Sequence, residues 1–225
     1  MTNILVVEDE QRLREIIRDY FHAHGLLCDL AEDGQKALEC LRQTDYDAVL
    51  LDIMMPGPDG FTVCREIRKR SGVPILFLTA LGGEEDMLHG YALGADDYVT
   101  KPFSLAVLLA KTRAVLARSR GGRLTETLTC GAVTLAPDSR SCTVNGNEVR
   151  LTAGEFDLLL CLMRNKNQVL SREQLLDKVW GLDFEGGDRA VDVRIRSLRA
   201  ALGKAGEQIK TVFKAGYRME ASADE

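Results

Sequence analysis

Residues 48–60 read Ala48-Val49-Leu50-Leu51-Asp52-Ile53-Met54-Met55-Pro56-Gly57-Pro58-Asp59-Gly60. The opening apolar run is too short for a buried helix and suits a strand covered on both faces. It ends on an acid, and Pro56, Gly57 and Pro58 then interrupt regular structure before the next helical pattern near Gly60. Asp52 is poorly placed to cap that helix, so its carboxylate is left at the carboxyl end of a strand.

The same grammar extends in both directions. Apolar runs recur at 4–7, 26–30, 48–51, 75–78 and 98–99, with amphipathic stretches at 13–21, 35–42, 61–69, 84–93 and 105–116 between them. Strands alternating with helices predict a doubly wound, mostly parallel α/β sheet. In such sheets sites form beyond the carboxyl ends of the strands, near the switch in strand order. After Arg118-Ser119-Arg120-Gly121-Gly122-Arg123 the pattern changes. Short antiparallel strands are expected at 128–135, 141–144 and 148–151, with Asn145-Gly146 as a turn. Helices follow at 153–164, 172–180 and 189–203, then a hairpin of 209–213 and 217–220 around Gly216. The expected organisation is one domain over 1–117, a linker over 118–126 and an α+β domain over 127–225.

Composition narrows the classes. Hydrophobic content of 45% with 28% charged residues is ordinary for a globular chain. No run of roughly 18 apolar residues occurs, so no membrane helix is expected. A strand directly at the N-terminus argues against export, and a cytoplasmic location is expected. The six cysteines are scattered, with no Cys-x-x-Cys pair, and read as free thiols rather than disulfides or zinc ligands. The net charge of −5 is uneven: residues 1–117 hold 12 Lys+Arg against 19 Asp+Glu, while 118–225 hold 17 against 15. A polyanionic partner would therefore meet the second half.

The strand ends of the first half carry Glu8 and Asp9, Asp52, Thr79 and, after the last strand, Lys101-Pro102. In this kind of sheet they share one rim. Three converging carboxylates repel one another, which implies a cation, and a small set of oxygen ligands open to water suits Mg²⁺. Beside a cation, a carboxylate can attack a phosphoryl group and form an aspartyl phosphate. Mg²⁺ and the Lys101 ammonium would neutralise the phosphoryl oxygens, and the Thr79 hydroxyl can donate to one of them.

The set Glu8-Asp9, Asp52 to Gly60, Thr79-Ala80 and Gly94-Ala95-Asp96-Asp97-Tyr98-Val99-Thr100-Lys101-Pro102-Phe103 resembles the receiver domain of two-component response regulators. The resemblance covers residues 1–117 and implies a flavodoxin-like fold with Asp52 phosphorylated by a sensor histidine kinase. It further implies Mg²⁺ on Asp9, Asp52 and the Met54 carbonyl with Glu8 assisting, Thr79 and Tyr98 as a switch pair, and a cis Lys101-Pro102 bond. Tyr98 is expected to turn inward on phosphorylation, and the active form is expected to dimerise. A haloacid-dehalogenase-type phosphatase would need an acid at Met54, and a dinucleotide oxidoreductase would need a glycine-rich turn at Glu8-Asp9-Glu10-Gln11. Neither is met, and no enzyme is expected. A regulator of the same build that works without phosphate is the remaining rival.

In the second half, Val191, Ile195, Leu198 and Leu202 form a core-facing stripe at i, i+4, i+7 and i+11. Arg189, Val193, Arg196 and Ser197 point away from it, and Arg194 and Arg199 flank it. Ion pairing with Asp188 and Asp192 is one account of those arginines, and a major-groove surface is another. The patterns Leu151 to Leu160, Val169 to Leu176, Val179-Trp180, Arg189 to Val193, Leu198-Arg199 and Gly216-Tyr217-Arg218 resemble the winged helix-turn-helix effector of the OmpR/PhoB subfamily. That implies duplex-DNA binding, with Arg196 and Ser197 reading bases, Arg189, Arg194 and Arg199 on phosphates and Arg218 in the minor groove. Trp180 is expected in the core, and residues 181–187 are a candidate surface for RNA polymerase.

Two departures stand out. The family dimer face pairs a basic residue near Met87 with an acidic one near Val107, and here both are apolar, while Asp96, Asp97 and Lys111 remain. A more apolar dimer, less dependent on phosphorylation, is expected. The family wing often reads Arg-Gly-x-Gly-Tyr, whereas this chain reads Phe213-Lys214-Ala215-Gly216-Tyr217, so the wing turn should differ.

Overall fold

A computed structural model describes residues 2–80, 83–119, 127–181, 184 and 187–221. It divides into two compact units, Met1–Ser119 and Arg120–Glu225. In the first, β1 (Asn3–Val7), β2 (Leu27–Ala31), β3 (Ala48–Asp52), β4 (Ile75–Thr79) and β5 (Asp97–Thr100) alternate with α1 (Gln11–Ala23), α2 (Gly34–Gln43), α3 (Gly60–Arg68), α4 (Glu84–Ala92) and α5 (Leu105–Ser119). The strands form one parallel sheet in the order β2-β1-β3-β4-β5. The order reverses beside β1, so the switch point lies where β1 meets β3. Register aligns the strand ends: Val7 pairs with Leu51, Asp52 with Leu78 and Thr79 with Thr100.

Burial explains why these runs are strands. Every residue of β3 and β4 is buried, as the unbroken apolar runs require of strands covered on both faces. Each fully buried Leu, Ile or Val contributes about 1.5–3 kcal/mol. The α3 cap is Asp59, whose carboxylate accepts from the Thr62 amide at 2.8 Å, and Asp52 is indeed left for other work. A Cβ on Gly60 would collide with the Asp52 carbonyl oxygen, so the chain can fold back against that strand end only with glycine there.

The second unit has a four-stranded antiparallel sheet of β6 (Leu128–Cys130), β7 (Val133–Ala136), β8 (Ser141–Val144) and β9 (Asn147–Val149). The helices α6 (Ala153–Arg164), α7 (Arg172–Val179) and α8 (Gly187–Leu202) follow. A 3₁₀ segment, Gly203–Gln208, leads into the hairpin β10 (Ile209–Val212) and β11 (Gly216–Met219). Thr152 with Glu155, and Ser171 with Gln174, form reciprocal capping boxes that set the starts of α6 and α7. The strand expected over 128–135 is two strands: Gly131, at φ +49°, folds them into a hairpin. Helix α5 runs to Ser119, into the expected linker, whose residues 120–126 lie outside the described ones. The stripe Val191, Ile195, Leu198 and Leu202 is buried with Trp180 in one core, as its spacing requires.

All six cysteines are free thiols, and burial pushes Cys28 up to about 12 and Cys64 and Cys142 up to about 11, which disfavours the thiolate at those three. Among the described residues no helix is long and apolar enough to cross a membrane.

Candidate functional site

The rim at the carboxyl ends of β1 and β3 brings carboxylate oxygens of Glu8, Asp9 and Asp52 within 4.8 Å of one another. The Lys101 ammonium donates to Glu8 Oε2 at 2.8 Å, Glu8 Oε1 at 3.0 Å and Asp52 Oδ2 at 2.6 Å. Asp52 Oδ1 accepts from the Met54 amide at 2.9 Å. Thr79 ends β4 one residue past Leu78, the register partner of Asp52, and its carbonyl accepts from the Lys101 amide at 2.7 Å. The Lys101-Pro102 bond is cis.

The rim is less open to water than its sequence suggests. Asp9 and the Met54 side chain are exposed, but the Asp52 side chain is only 4% exposed and Lys101, at 23%, lies over it. Burial raises the Glu8 pKa, and the nearby Asp52 charge raises it further, while Lys101 opposes both. Burial works against the Lys101 charge, but its hydrogen bonds to Asp52 and Glu8 outweigh that and raise its pKa. One ammonium faces three acids, and the remaining negative charge with all-oxygen donors fits a hard divalent cation such as Mg²⁺.

Sequence reasoning missed Arg14. Its guanidinium donates to the backbone carbonyl of Glu8 and, at 3.2 Å, to that of Asp9, so α1 holds the acidic loop. The available signal was position: Arg14 shares the buried face of α1 with Ile17 and Phe21. An arginine on an apolar stripe needs acceptors.

Tyr98 is inward and fully buried, between Phe77 (ring centroids 5.3 Å apart) and Tyr91 (5.0 Å), so the inward turn expected on phosphorylation is not needed to place it there. Its hydroxyl sits 3.4 Å from the Asp86 carbonyl. The space comes from α4: a Cβ at Gly90 would overlap the hydroxyl.

The residues expected at a dimer face separate. Val107 is 49% exposed and Met87 half-buried. Asp96 requires correction: it is buried, pairs with Arg68 at 3.1 Å and accepts from the Ile75 amide at 2.8 Å, bracing α3 against the sheet. Asp97 is buried too and pairs with Lys111 at 3.4 Å; Lys111 also donates to the Tyr98 carbonyl at 3.0 Å.

On α8, Arg189 and Arg196 are exposed and Ser197 half-buried. Arg194 also requires correction: it is 1% exposed, with its guanidinium 4.8 Å from the Trp180 ring centroid and 5.9 Å from that of Phe184. It stands three residues after Val191 and four before Leu198, on the stripe rather than beside it. A delocalised cation over two aromatic faces tolerates that burial. Arg199 is turned to the hairpin, donating to the Ile209 carbonyl from Nε at 3.1 Å and from Nη2 at 2.6 Å. Arg218 pairs with Glu220 at 2.6 Å. Asp192, instead of pairing along its helix, accepts from Arg172 Nε and the Tyr217 hydroxyl, each at 2.6 Å, and joins α7, α8 and β11. Of the expected polymerase surface, residues 182, 183, 185 and 186 lie outside the described ones.

The family model described as "Response regulator receiver domain" matches residues 4–113, and that described as "Transcriptional regulatory protein, C terminal" matches 146–219. The chain is 37% identical to the transcriptional regulatory protein ResD of Bacillus subtilis, over 99% of this chain and 98% of the relative. It is 39% identical to the sensory transduction protein RegX3 of Mycolicibacterium smegmatis, over 98% and 100%. Among solved structures, a RitR variant superposes with TM-score 0.79 at 29% identity, covering 98% of this chain and all of that one. DrrB of Thermotoga maritima, described as an OmpR/PhoB homologue, does so with TM-score 0.52 at 29% identity and the same coverage.

Proposed function

Because the chain belongs to the two-component response regulators, with a receiver domain and an OmpR/PhoB-type DNA-binding domain, we propose that Asp52 accepts a phosphoryl group from a sensor histidine kinase and so controls binding of the second domain to duplex DNA. The observation that carries this reading is the convergence of Glu8, Asp9, Asp52 and Lys101 at the switch point of the sheet. An Asp52 carboxylate oxygen attacks phosphorus, a P–O bond forms, and the bond to the donor's leaving group breaks. Asp9, Asp52 and the Met54 carbonyl, with Glu8 beside them, would hold Mg²⁺, which when bound neutralises phosphoryl oxygens. Lys101 lies 2.6 Å from Asp52 and exchanges its carboxylate partner for a phosphoryl oxygen. The Thr79 hydroxyl donates to another, and Tyr98, packed against α4, carries the change to the surface of α4 and α5.

That surface offers apolar Met87 and Val107 to a second copy, and the linked domains then gain affinity for paired sites through effective concentration. On DNA, Arg196 and Ser197 face the bases and Arg189 a phosphate. A first domain that ends with α5 at Ser119 and a second that follows serve this arrangement.

The test is incubation with acetyl phosphate and Mg²⁺, followed by intact-mass measurement. Wild-type protein gains one phosphoryl group and Asp52→Asn none. Failure of the wild type to be labelled, or to bind beryllofluoride, would leave a regulator that works without phosphate.

A further inference from the structure

The β10–β11 hairpin ends in Phe213, which is 85% exposed, far beyond any other large apolar residue described. Lys214 follows in the left-handed region at φ +57°, with its ammonium 5.5 Å from the Phe213 ring centroid. From Ile209 to Met219 the hairpin carries Lys210, Lys214 and Arg218 and no acid, and Glu220, the next residue, pairs with Arg218, which leaves Lys210 and Lys214 as its net charge. Single exposed apolar side chains are ordinary on protein surfaces, but this ring stands at a hairpin tip beside an ammonium, and that charge complements a polyanion rather than an apolar protein groove. The hairpin is also fixed to α8. Arg199 grips the Ile209 carbonyl and reaches Thr211 Oγ1 at 2.9 Å, while the Tyr217 hydroxyl is held by Asp192. The tip therefore keeps a set place beside the helix that presents Arg196.

We infer that Phe213 enters the minor groove of bound DNA and wedges between base pairs at a flexible step, with Lys214 on the flanking phosphate. This rests on the DNA-binding reading above and deepens it. Large apolar side chains inserted between base steps unstack and kink duplexes, most readily at pyrimidine–purine steps, and sequence preference then arises without hydrogen bonds to bases. Arg218, the residue first expected in that groove, is paired with Glu220 and lies in β11 rather than at the tip.

The experiment uses the full chain with beryllofluoride and Mg²⁺ to select duplexes from random DNA. The enriched duplex is then resynthesised with 2-aminopurine at successive steps flanking the site of α8. Wild-type protein should raise fluorescence at one pyrimidine–purine step. Phe213→Ala should abolish the rise and weaken binding about tenfold or more, whereas Phe213→Leu should keep part of both. Lys214→Ala should keep the fluorescence and lower the salt dependence of binding by about one phosphate. If Phe213→Ala binds within about twofold of wild type with the same fluorescence, the wedge is excluded while the DNA-binding reading stands. Loss of self-association with DNA affinity intact would assign the ring to a second copy and overturn the inference. Failure of wild-type protein to enrich any duplex would overturn both readings.

Discussion

The acidic rim of the first unit and the helix–hairpin face of the second use burial in opposite ways. At the rim the candidate chemical groups are themselves the buried ones: Glu8, Asp52 and Thr79 sit at strand ends whose places are set by register, and Lys101 bonds both carboxylates and the Thr79 carbonyl. On α8 the buried charge, Arg194, belongs to the core, and the groups with reach, Arg196 on the helix and Phe213 on the hairpin, are exposed. A phosphoryl site needs atoms fixed to a fraction of an ångström, whereas a groove-reading face needs a rigid platform and long arms. Buried charge lines the candidate site at the rim, whereas Arg194, like Asp96 against Arg68 in the first unit, serves architecture.

The sharpest way to break that contrast is to compare two arginines two residues apart. Arg194→Ala removes a buried cation from over Trp180 and Phe184 and leaves a void, with an expected loss of about 2–4 kcal/mol. Thermal unfolding of the second unit should shift down accordingly. Arg196→Ala should leave the melting temperature in place and weaken binding to a selected duplex about tenfold. Unchanged stability with lost DNA binding in Arg194→Ala would return that residue to the DNA surface.

A smaller effect is expected at Gly90. Alanine there would overlap the Tyr98 hydroxyl and approach Phe77 to 3.1 Å, so either α4 or the ring must move, at about 1–3 kcal/mol. Adding Tyr98→Phe should restore part of the loss, and the signature of the clash is that the two substitutions do not add. If Gly90→Ala melts like wild type, α4 yields freely and does not hold Tyr98 in place. Below this lies Lys101→Met, which removes the only ammonium bonded to the acidic cluster among the described residues. Mg²⁺ affinity measured by calorimetry should rise roughly tenfold as the competing charge disappears, and a fall would show that Lys101 organises the acids.

The same contrast explains what could be read without coordinates. The unbroken apolar runs of β1, β3 and β4 leave little choice of partner face, so the sheet and the acids at its ends were legible. The stripe Val191, Ile195, Leu198 and Leu202 likewise fixed the inward side of α8. Arg14 and Arg194 were not legible, since both sit at stripe positions where an apolar residue is the ordinary choice, and the loop carbonyls and aromatic rings that hold them lie outside their own helices. Asp96 and Asp97 are adjacent and look alike in sequence, yet Arg68 on α3 claims one and Lys111 on α5 the other. The break in 128–135 depended on one glycine, Gly131, whose positive φ the alternation around it does not reveal.

The most delicate probe is Tyr217→Phe, which tests whether the platform under the groups proposed to face DNA is as rigid as the contrast demands. The substitution deletes the hydroxyl that donates to Asp192 Oδ1 at 2.6 Å and leaves the Arg172 pair, also at 2.6 Å, in place. Asp192 keeps one strong partner that still neutralises it, so the expected cost is about 0.5–1.5 kcal/mol, that of an ordinary hydrogen bond. In a double-mutant cycle with Asp192→Asn, about that much should appear as coupling. No phosphate contact is lost, so the salt dependence of DNA binding should stay unchanged while affinity falls a few-fold, because β11 is less firmly aligned with α8. A changed salt slope would mean that Tyr217 itself touches the backbone of the DNA. An unchanged affinity would mean that Arg199, through the Ile209 carbonyl, suffices to hold the hairpin against the helix.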